Sequence, residues 1–318
     1  MRDTPERRTA DGRTGKRRIS RTITPHLGTP IAENDTIGFP LSPRQLDECV
    51  RAALQEDGAF SDVTTIACVV SDRRAHGTII AQQAGVITGM PLAISAFRQL
   101  DHDCAIRVDV DDGERVTPGA VVMRISGLAR ALLSAERVAL NFLQRLSGIA
   151  TLTARYVDAV RGTRVQILDT RKTTPGLRHL EKYAVRAGGG ISRRLDLTTV
   201  LIKVNHLSAI GGDVELAVRR TREFAPADAL VEVQCSSPDQ VEAVLAAGAD
   251  MVLFDGMSPA QVRECVELVG GRATTEASGR ITLDRVREFA EAGVDRISVG
   301  ALTQAAASLD LALEFEAV

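Results

Sequence analysis

Cysteine is scarce in this chain. Its 318 residues include five, Cys49, Cys68, Cys104, Cys235 and Cys265, set far apart and never as CxxC. A disulfide-stapled scaffold is excluded, and no cysteine pair has metal-ligand spacing. The odd count, with no signal peptide, reads as reduced thiols in the cytoplasm. Long apolar runs are missing too, so no membrane span is expected. Charge of one sign is also lacking: a net charge of -2 gives no bulk reason to expect nucleic acid as a partner. Lysine is the most telling shortage. Of 39 basic residues only Lys16, Lys172, Lys182 and Lys203 are lysine. A lysine kept in so arginine-rich a chain points to a need for a compact charge with rotatable donors. Lys16 and Lys182 read as solvated surface charges, whereas Lys172 and Lys203 fall where strands are expected to end.

What is present is a 44% hydrophobic chain able to bury a substantial core. Its length suits two domains, or one barrel with an accessory piece. Residues 1–36, rich in Arg, Thr, Gly and Pro, show no hydrophobic periodicity and read as a disordered basic tail. Arg17-Arg18 is not followed by an apolar stretch, so no export signal is expected. Globular patterning starts at Leu41, and Ser42-Pro43 opens a helix that runs to about Glu56. Over 61–126, short β-like runs at 76–83, 85–89, 106–110 and 120–125 alternate with turns such as Asp111-Asp112-Gly113. Residues 37–134 therefore read as a small α/β domain with an antiparallel sheet, completed by about 306–318. A long helix is predicted over about 134–160 from Val138, Leu140, Phe142, Leu143 and Leu146. Ser147-Gly148 within it marks close packing or a local break.

After Arg161 the texture changes. Short apolar runs at 164–168, 200–204, 229–233, 251–254, 273–276 and 296–299 alternate with helical stretches such as 238–247 and 283–292. Such alternation predicts parallel strands with crossover helices. Six units without a Gly-rich dinucleotide turn favour a β/α barrel over 135–305. In such a barrel the chemistry collects where strands end. The first run is followed by Asp169-Thr170-Arg171-Lys172-Thr173-Thr174-Pro175-Gly176, the second by Lys203, Asn205 and His206. Glu232 and Gln234 fall on the third, Asp255-Gly256 end the fourth, Ser278-Gly279 the fifth and Gly300 the sixth. Gly188-Gly189-Gly190 and Arg193-Arg194 lie between the first two. Arg171, Lys172, Arg193, Arg194 and Lys203 make a cationic mouth, which calls for an anionic ligand. Glu232, Gln234 and Asp255 offer acceptors to ribose hydroxyls or Mg²⁺; Glu232 and Asp255 equally suit buried partners for the cations. Ser278-Gly279 and Gly300 suit a phosphate held by backbone N–H groups. His206 reads as a base, as a core histidine or as one that supports a neighbouring site residue, and Cys235 as a small buried strand-end residue.

Several strings, in order, carry a resemblance. They are Glu136-Arg137-Val138-Ala139-Leu140-Asn141, Ser147-Gly148-Ile149-Ala150, residues 169–178, Gly188-Gly189-Gly190 with Arg194, and Ile202-Lys203 with Asn205-His206. Val231-Glu232-Val233, Ala277-Ser278-Gly279 and Ser298-Val299-Gly300-Ala301-Leu302-Thr303 complete the set. Over roughly 41–318 the chain resembles the quinolinate phosphoribosyltransferase family. The resemblance implies an N-terminal α/β domain, an incomplete parallel β/α barrel and a homodimer with shared sites. It implies that quinolinate and phosphoribosyl pyrophosphate give nicotinate mononucleotide, pyrophosphate and CO₂, with Mg²⁺, in NAD biosynthesis. It implies that Arg171, Lys172 and Arg194 hold quinolinate carboxylates, with Arg137 reaching in from the partner subunit and Lys203 meeting pyrophosphate or the ring. Ser278, Gly279 and Gly300 would cradle the 5-phosphate, and Asp255 would contact ribose hydroxyls or metal-bound water. Lys172, Lys203 and Asp255 are the catalytic candidates.

Four positions depart from the family pattern: Arg193 stands in place of His, Val204 of Asp, Gln234 of Glu and Gly256 of Asn. They cluster at the mouth, and two of them delete a carboxylate. Two other readings follow: a divergent paralogue acting on another aromatic acid, and a non-catalytic ligand-binding homologue that keeps the carboxylate cage.

Overall fold

The computed structural model describes residues 38–192 and 198–318. The tail expected over 1–36 and the candidate ligands Arg193 and Arg194 lie outside the described residues. The first element is α1 (Pro43–Glu56), started by a reciprocal cap. The Ser42 hydroxyl accepts from the Gln45 N–H at 3.4 Å, and Gln45 Oε1 accepts from the Ser42 N–H at 3.0 Å. Next come α2 (Val63–Cys68), capped by Asp62, then β1 (Arg74–Ala81), β2 (Gly85–Val86), α3 (Met90–Leu100), β3 (Ala105–Val108), β4 (Arg115–Val116) and β5 (Val121–Leu128). Helices α2 and α3 correct the reading of 61–126 as strands and turns. Leu92, Ala93, Ala96 and Phe97 of α3 are all fully buried and its one exposed residue is Arg98 near the C-terminal end, so the polar face that would mark a 3.6-residue pattern is short.

Strand β5 runs directly into α4 (Ala129–Ala159), which starts five residues before the predicted 134. Ala129, Ala131 and Leu132 already belong to the buried stripe that continues through Ala135, Val138, Ala139 and Leu143. Helix α4 passes unbroken through Ser147-Gly148. A Cβ at Gly148 would sit 2.0 Å from the Ala307 carbonyl oxygen, so the glycine marks close packing and not a break.

The βα alternation follows: β6 (Gln166–Leu168), α5 (Arg178–Ala187), β7 (Thr199–Ile202), α6 (Val204–Ala209), α7 (Val214–Phe224), β8 (Leu230–Cys235) and α8 (Val241–Ala246). It continues with β9 (Met251–Asp255), α9 (Pro259–Val269), β10 (Thr274–Ser278), α10 (Val286–Glu291), β11 (Arg296–Ser298), α11 (Ala301–Gln304) and a last strand, β12 (Leu311–Ala317). Six strands form one parallel sheet in the order β6-β11-β10-β9-β8-β7. Ile191 adds a parallel bridge to Leu168 beside β6. The first and last barrel strands in sequence are thus neighbours, but β6 and β7 do not pair among the described residues. This is the incomplete parallel β/α barrel that the sequence predicts. Strands such as β9, buried at every position from Met251 to Phe254, show no alternation because both faces are covered.

Strand β12 leaves the barrel and pairs antiparallel with β1, in a second sheet of order β12-β1-β5-β3. Helix α4 holds the return in place: Gln144 Nε2 donates to the Leu311 carbonyl at 2.8 Å, and the Leu309 N–H to that of Gln144 at 2.9 Å. Asp112 links the N-terminal layer to α5. It accepts from the Gly89 and Met90 N–H groups, both at 3.0 Å, and from the Tyr183 hydroxyl at 2.8 Å. Burial pushes its carboxyl above the usual range against the pull of these hydrogen bonds. Among the described residues no helix is long and apolar enough to cross a membrane.

Candidate active site

Parallel pairing brings every strand's C-terminal end to one rim. Ile202 stands opposite Val233, Gln234 opposite Leu253, and Asp255 opposite Ser278. Lys203, Gln234, Asp255 and Ser278-Gly279 therefore follow one another around half the rim. On the other half, β6 lies beside β11, which brings the 169–172 segment to Gly300.

At this second half, Lys172 crosses the N-terminus of α11. A Cβ at Gly300 would come within 2.9 Å of Lys172 Cδ and 3.3 Å of its Nζ, so a side chain there would push the end of the lysine aside. The Thr303 hydroxyl donates to the Lys172 carbonyl at 2.7 Å and fixes the backbone beneath it. Arg171 and Lys172 are both exposed, so their charges face solvent and an incoming ligand.

At the first half, Gln234 Nε2 donates to Asp255 Oδ2 at 2.6 Å, and Gln234 Oε1 accepts from the Val204 N–H at 3.3 Å. Asp255 Oδ1 lies against Gly279, where a Cβ would come within 2.9 Å of it. Gly279 has a φ of +97°, which brings its backbone over Asp255 and Gly256. Ser278 and Gly279 are half-buried, and the Ser278 carbonyl accepts from the Gly256 N–H at 3.0 Å. Lys203 is exposed, and its backbone N–H donates to His206 Nδ1 at 3.0 Å. His206 is exposed at the start of α6, so the core reading of this histidine is wrong. Glu232 is fully buried, one pleat below Gln234. Cys235 is buried and its thiol is pushed up to about 12 by burial, which makes it no nucleophile.

Two ion pairs, each with a buried carboxylate, support the rim, and sequence reasoning missed both. Lys182 is 1% exposed, which overturns its reading as a surface charge. Its Nζ lies 2.5 Å from Asp169 Oδ1 and 3.3 Å from the Ser192 hydroxyl, which itself donates to Asp169 Oδ2 at 2.6 Å. Asp169 opens the segment that carries Arg171 and Lys172, and Ser192 immediately precedes Arg193. One carboxylate thus joins the 169–172 segment and Ser192 to α5. Glu181, also fully buried, accepts from Arg145 of α4 at 2.7 Å and from the Thr174 N–H and hydroxyl at 3.0 and 2.8 Å. The scarcity of lysine was the available signal for Lys182. Arg137 is exposed on α4 and, among the described residues, makes no hydrogen bond or ion pair with the rim. A cleft of about 260 Å³ between α1, α4 and α5 holds none of the rim residues; apolar side chains such as Phe142 and Leu180 line it together with Glu56, Asp57 and Arg145.

Fold and site together define a parallel β/α-barrel protein whose strand-end rim gathers exposed cations, a half-buried carboxylate and glycine-lined backbone. The family described as quinolinate phosphoribosyl transferase, N-terminal domain, matches residues 62–147, and the corresponding C-terminal domain matches 149–314. The probable nicotinate-nucleotide pyrophosphorylase (carboxylating) of Bacillus subtilis (strain 168) is 39% identical over 271 residues, 85% of this chain and 93% of that protein. The nicotinate-nucleotide pyrophosphorylase (carboxylating) of Mycobacterium leprae (strain TN) is 40% identical over 274 residues, 84% of this chain and 96% of that protein. Among solved structures, NadC from Streptococcus pyogenes superposes with a TM-score of 0.82 at 39% identity, covering 87% of this chain and 99% of that one. The chain belongs to the quinolinate phosphoribosyltransferase family.

Proposed function

We propose that this chain is a pentosyltransferase that joins quinolinate to phosphoribosyl pyrophosphate, giving nicotinate mononucleotide, pyrophosphate and CO₂ in NAD biosynthesis. The observation that carries the reading is the crossing of Lys172 over Gly300. It sets a cation directly beside a glycine-edged helix start, on the rim that also presents Asp255 and Gly279. Such a rim suits a substrate pair that brings carboxylates to one side and a phosphate to the other.

In this reading Arg171, Lys172, Arg193 and Arg194 hold the two quinolinate carboxylates, and Arg137 reaches the site of a second copy. Ser278, Gly279 and Gly300 receive the 5-phosphate. Asp255, with Gln234 beside it, accepts from the ribose hydroxyls. The ring nitrogen forms a bond to the ribose C1 as the bond to pyrophosphate breaks, with Lys203 meeting the charge on the departing group. The nitrogen, now positive, stabilises the electron pair left on the ring when the adjacent carboxylate leaves as CO₂, and a proton then takes that pair. Few proton transfers are required, so positioning and fixed charge supply most of the rate.

Mg²⁺ fits these donors in one way. Among the described residues no three His, Cys, Asp or Glu side chains gather to cage a metal. A hard cation that keeps its waters uses one or two carboxylates and the substrate's phosphates. Asp255 is the half-buried carboxylate available, directly or through water, to an ion that would neutralise the pyrophosphate. A homodimer is supported by Phe60, Val63, Ile66 and Val70, which expose 47–76% of their surface along one short stretch. Five free thiols support a cytoplasmic address.

The test is to incubate the protein with quinolinate, phosphoribosyl pyrophosphate and Mg²⁺ and to measure product by mass spectrometry. Nicotinate mononucleotide and CO₂ in equal amounts are expected. Quinolinate bound but unconverted would overturn the reading and favour the ligand-binding homologue.

A further inference from the structure

We propose that Gln234 is the positioning residue for the donor end of the site, doing with an amide what a shared proton or cation would do between two facing carboxylates. Its side chain spans from β8 to the N-terminus of α6 on one side and to Asp255 on the other. The chemistry of its neighbours fixes the direction of the amide. The Val204 N–H can only donate, so the oxygen faces it at 3.3 Å, and the nitrogen donates to Asp255 Oδ2 at 2.6 Å. Reversing the amide would break both bonds. Asp255 Oδ2 is therefore engaged by a charge-assisted bond, while Oδ1 lies against Gly279 at the open edge of the rim.

A carboxylate at 234 would keep the bond from Val204 but face Asp255 oxygen to oxygen at the same separation. Two anions hold that distance only with a proton or a metal between them. Gln234 carries the needed hydrogen itself. Val204 contributes only its backbone N–H here, so no further anion enters the cluster from α6. Asp255 is thus aimed before any ligand arrives, and no divalent cation is needed to hold the side chains at the ends of β8 and β9 together in the substrate-free protein.

Two variants and two measurements test this. Gln234→Glu keeps the shape and adds the second anion; Gln234→Leu keeps the volume and removes both hydrogen bonds. The first measurement is Mn²⁺ binding to the substrate-free protein by electron paramagnetic resonance. Gln234→Glu should bind at least about tenfold more tightly than wild type, because cation affinity follows the number of anionic ligands. Equal affinity in the two proteins overturns the proposal. This measurement does not depend on the reaction proposed above. The second, which rests on that reaction, is phosphoribosyl pyrophosphate affinity by calorimetry. Gln234→Leu should lose about tenfold or more, with quinolinate affinity held within about twofold of wild type as proof of folding. Gln234→Glu should lose donor affinity at low Mg²⁺ and regain it as Mg²⁺ is raised, a rescue that a merely structural role would not produce. Wild-type donor affinity in Gln234→Leu, or no rescue by Mg²⁺, overturns the proposal. Should wild type bind no phosphoribosyl pyrophosphate, the proposed reaction fails and the Mn²⁺ result alone decides the role of Gln234.

Discussion

Replacing Lys182 by methionine keeps the length of the side chain and removes its charge. In the native protein this ammonium is 1% exposed and lies 2.5 Å from an Asp169 carboxylate that is 0% exposed. Removing one side of a buried pair costs about 3–5 kcal/mol, mostly through the stranded partner. The Ser192 hydroxyl would still donate to Asp169 at 2.6 Å, which places the expected loss near the lower end, about 3 kcal/mol. In urea, with a slope of about 3 kcal/mol per M, the midpoint should fall by about 1 M at unchanged slope. In Lys182→Met/Asp169→Asn part of the stability should return, because the second change removes the buried carboxylate that the first one deprives of its ammonium. A loss under about 1 kcal/mol, or no recovery in the double variant, would refute the reasoning.

Lys172→Ala should weaken quinolinate binding by about tenfold to a hundredfold, the worth of one or two charge-assisted bonds, with little effect on urea stability because the side chain is exposed; calorimetry decides. Gly148→Ala drives a Cβ to 2.0 Å from the Ala307 carbonyl oxygen, a backbone atom that cannot swing aside. About 2–3 kcal/mol should be lost in a urea melt, and a loss near zero would mean that α4 and the 307–309 return are not in rigid contact. In a thiol-titration time course at about pH 8, exposed Cys68 should react first and Cys49 slowly. Cys235 and Cys265, with thiols pushed up to about 12 and about 11, should react only on unfolding. A fast phase that disappears in Cys235→Ser would contradict this.

The barrel was legible because parallel strands buried on both faces leave short apolar runs between helical stretches, and all six runs correspond to strands. The N-terminal layer was less so. Helix α3 opens on Gly89 without a side-chain cap and reaches its first polar residue only at Ser95, and β12 is exposed along most of its length, so neither looks like what it is. At the site, residues that follow a strand end could be ranked by charge, and the structure brings Lys172, Lys203, Gln234, Asp255, Gly279 and Gly300 to one rim. What supports that rim was out of reach. Lys182 and Glu181 are adjacent in sequence, inside a helix with hydrophilic composition, and only the fold reveals that one turns to Asp169 and the other to Arg145. Arg137 shows a different limit: one chain alone gives it no role at the rim.

The pairing of β12 with β1, from Ala75 opposite Ala317 to Ala81 opposite Leu311, has a consequence for biosynthesis. A ribosome releases β1 long before β12 exists, so the first sheet cannot be closed while the barrel is being translated. During that interval the outer edge of β1 offers unpaired N–H and carbonyl groups to any other nascent strand. Contacts that span most of the chain also delay closure, since the loop between them must be organised first. Folding should therefore end at the N-terminal layer, and premature termination shortly before Leu311 should yield a polypeptide that aggregates through β1 even though every barrel strand has been made.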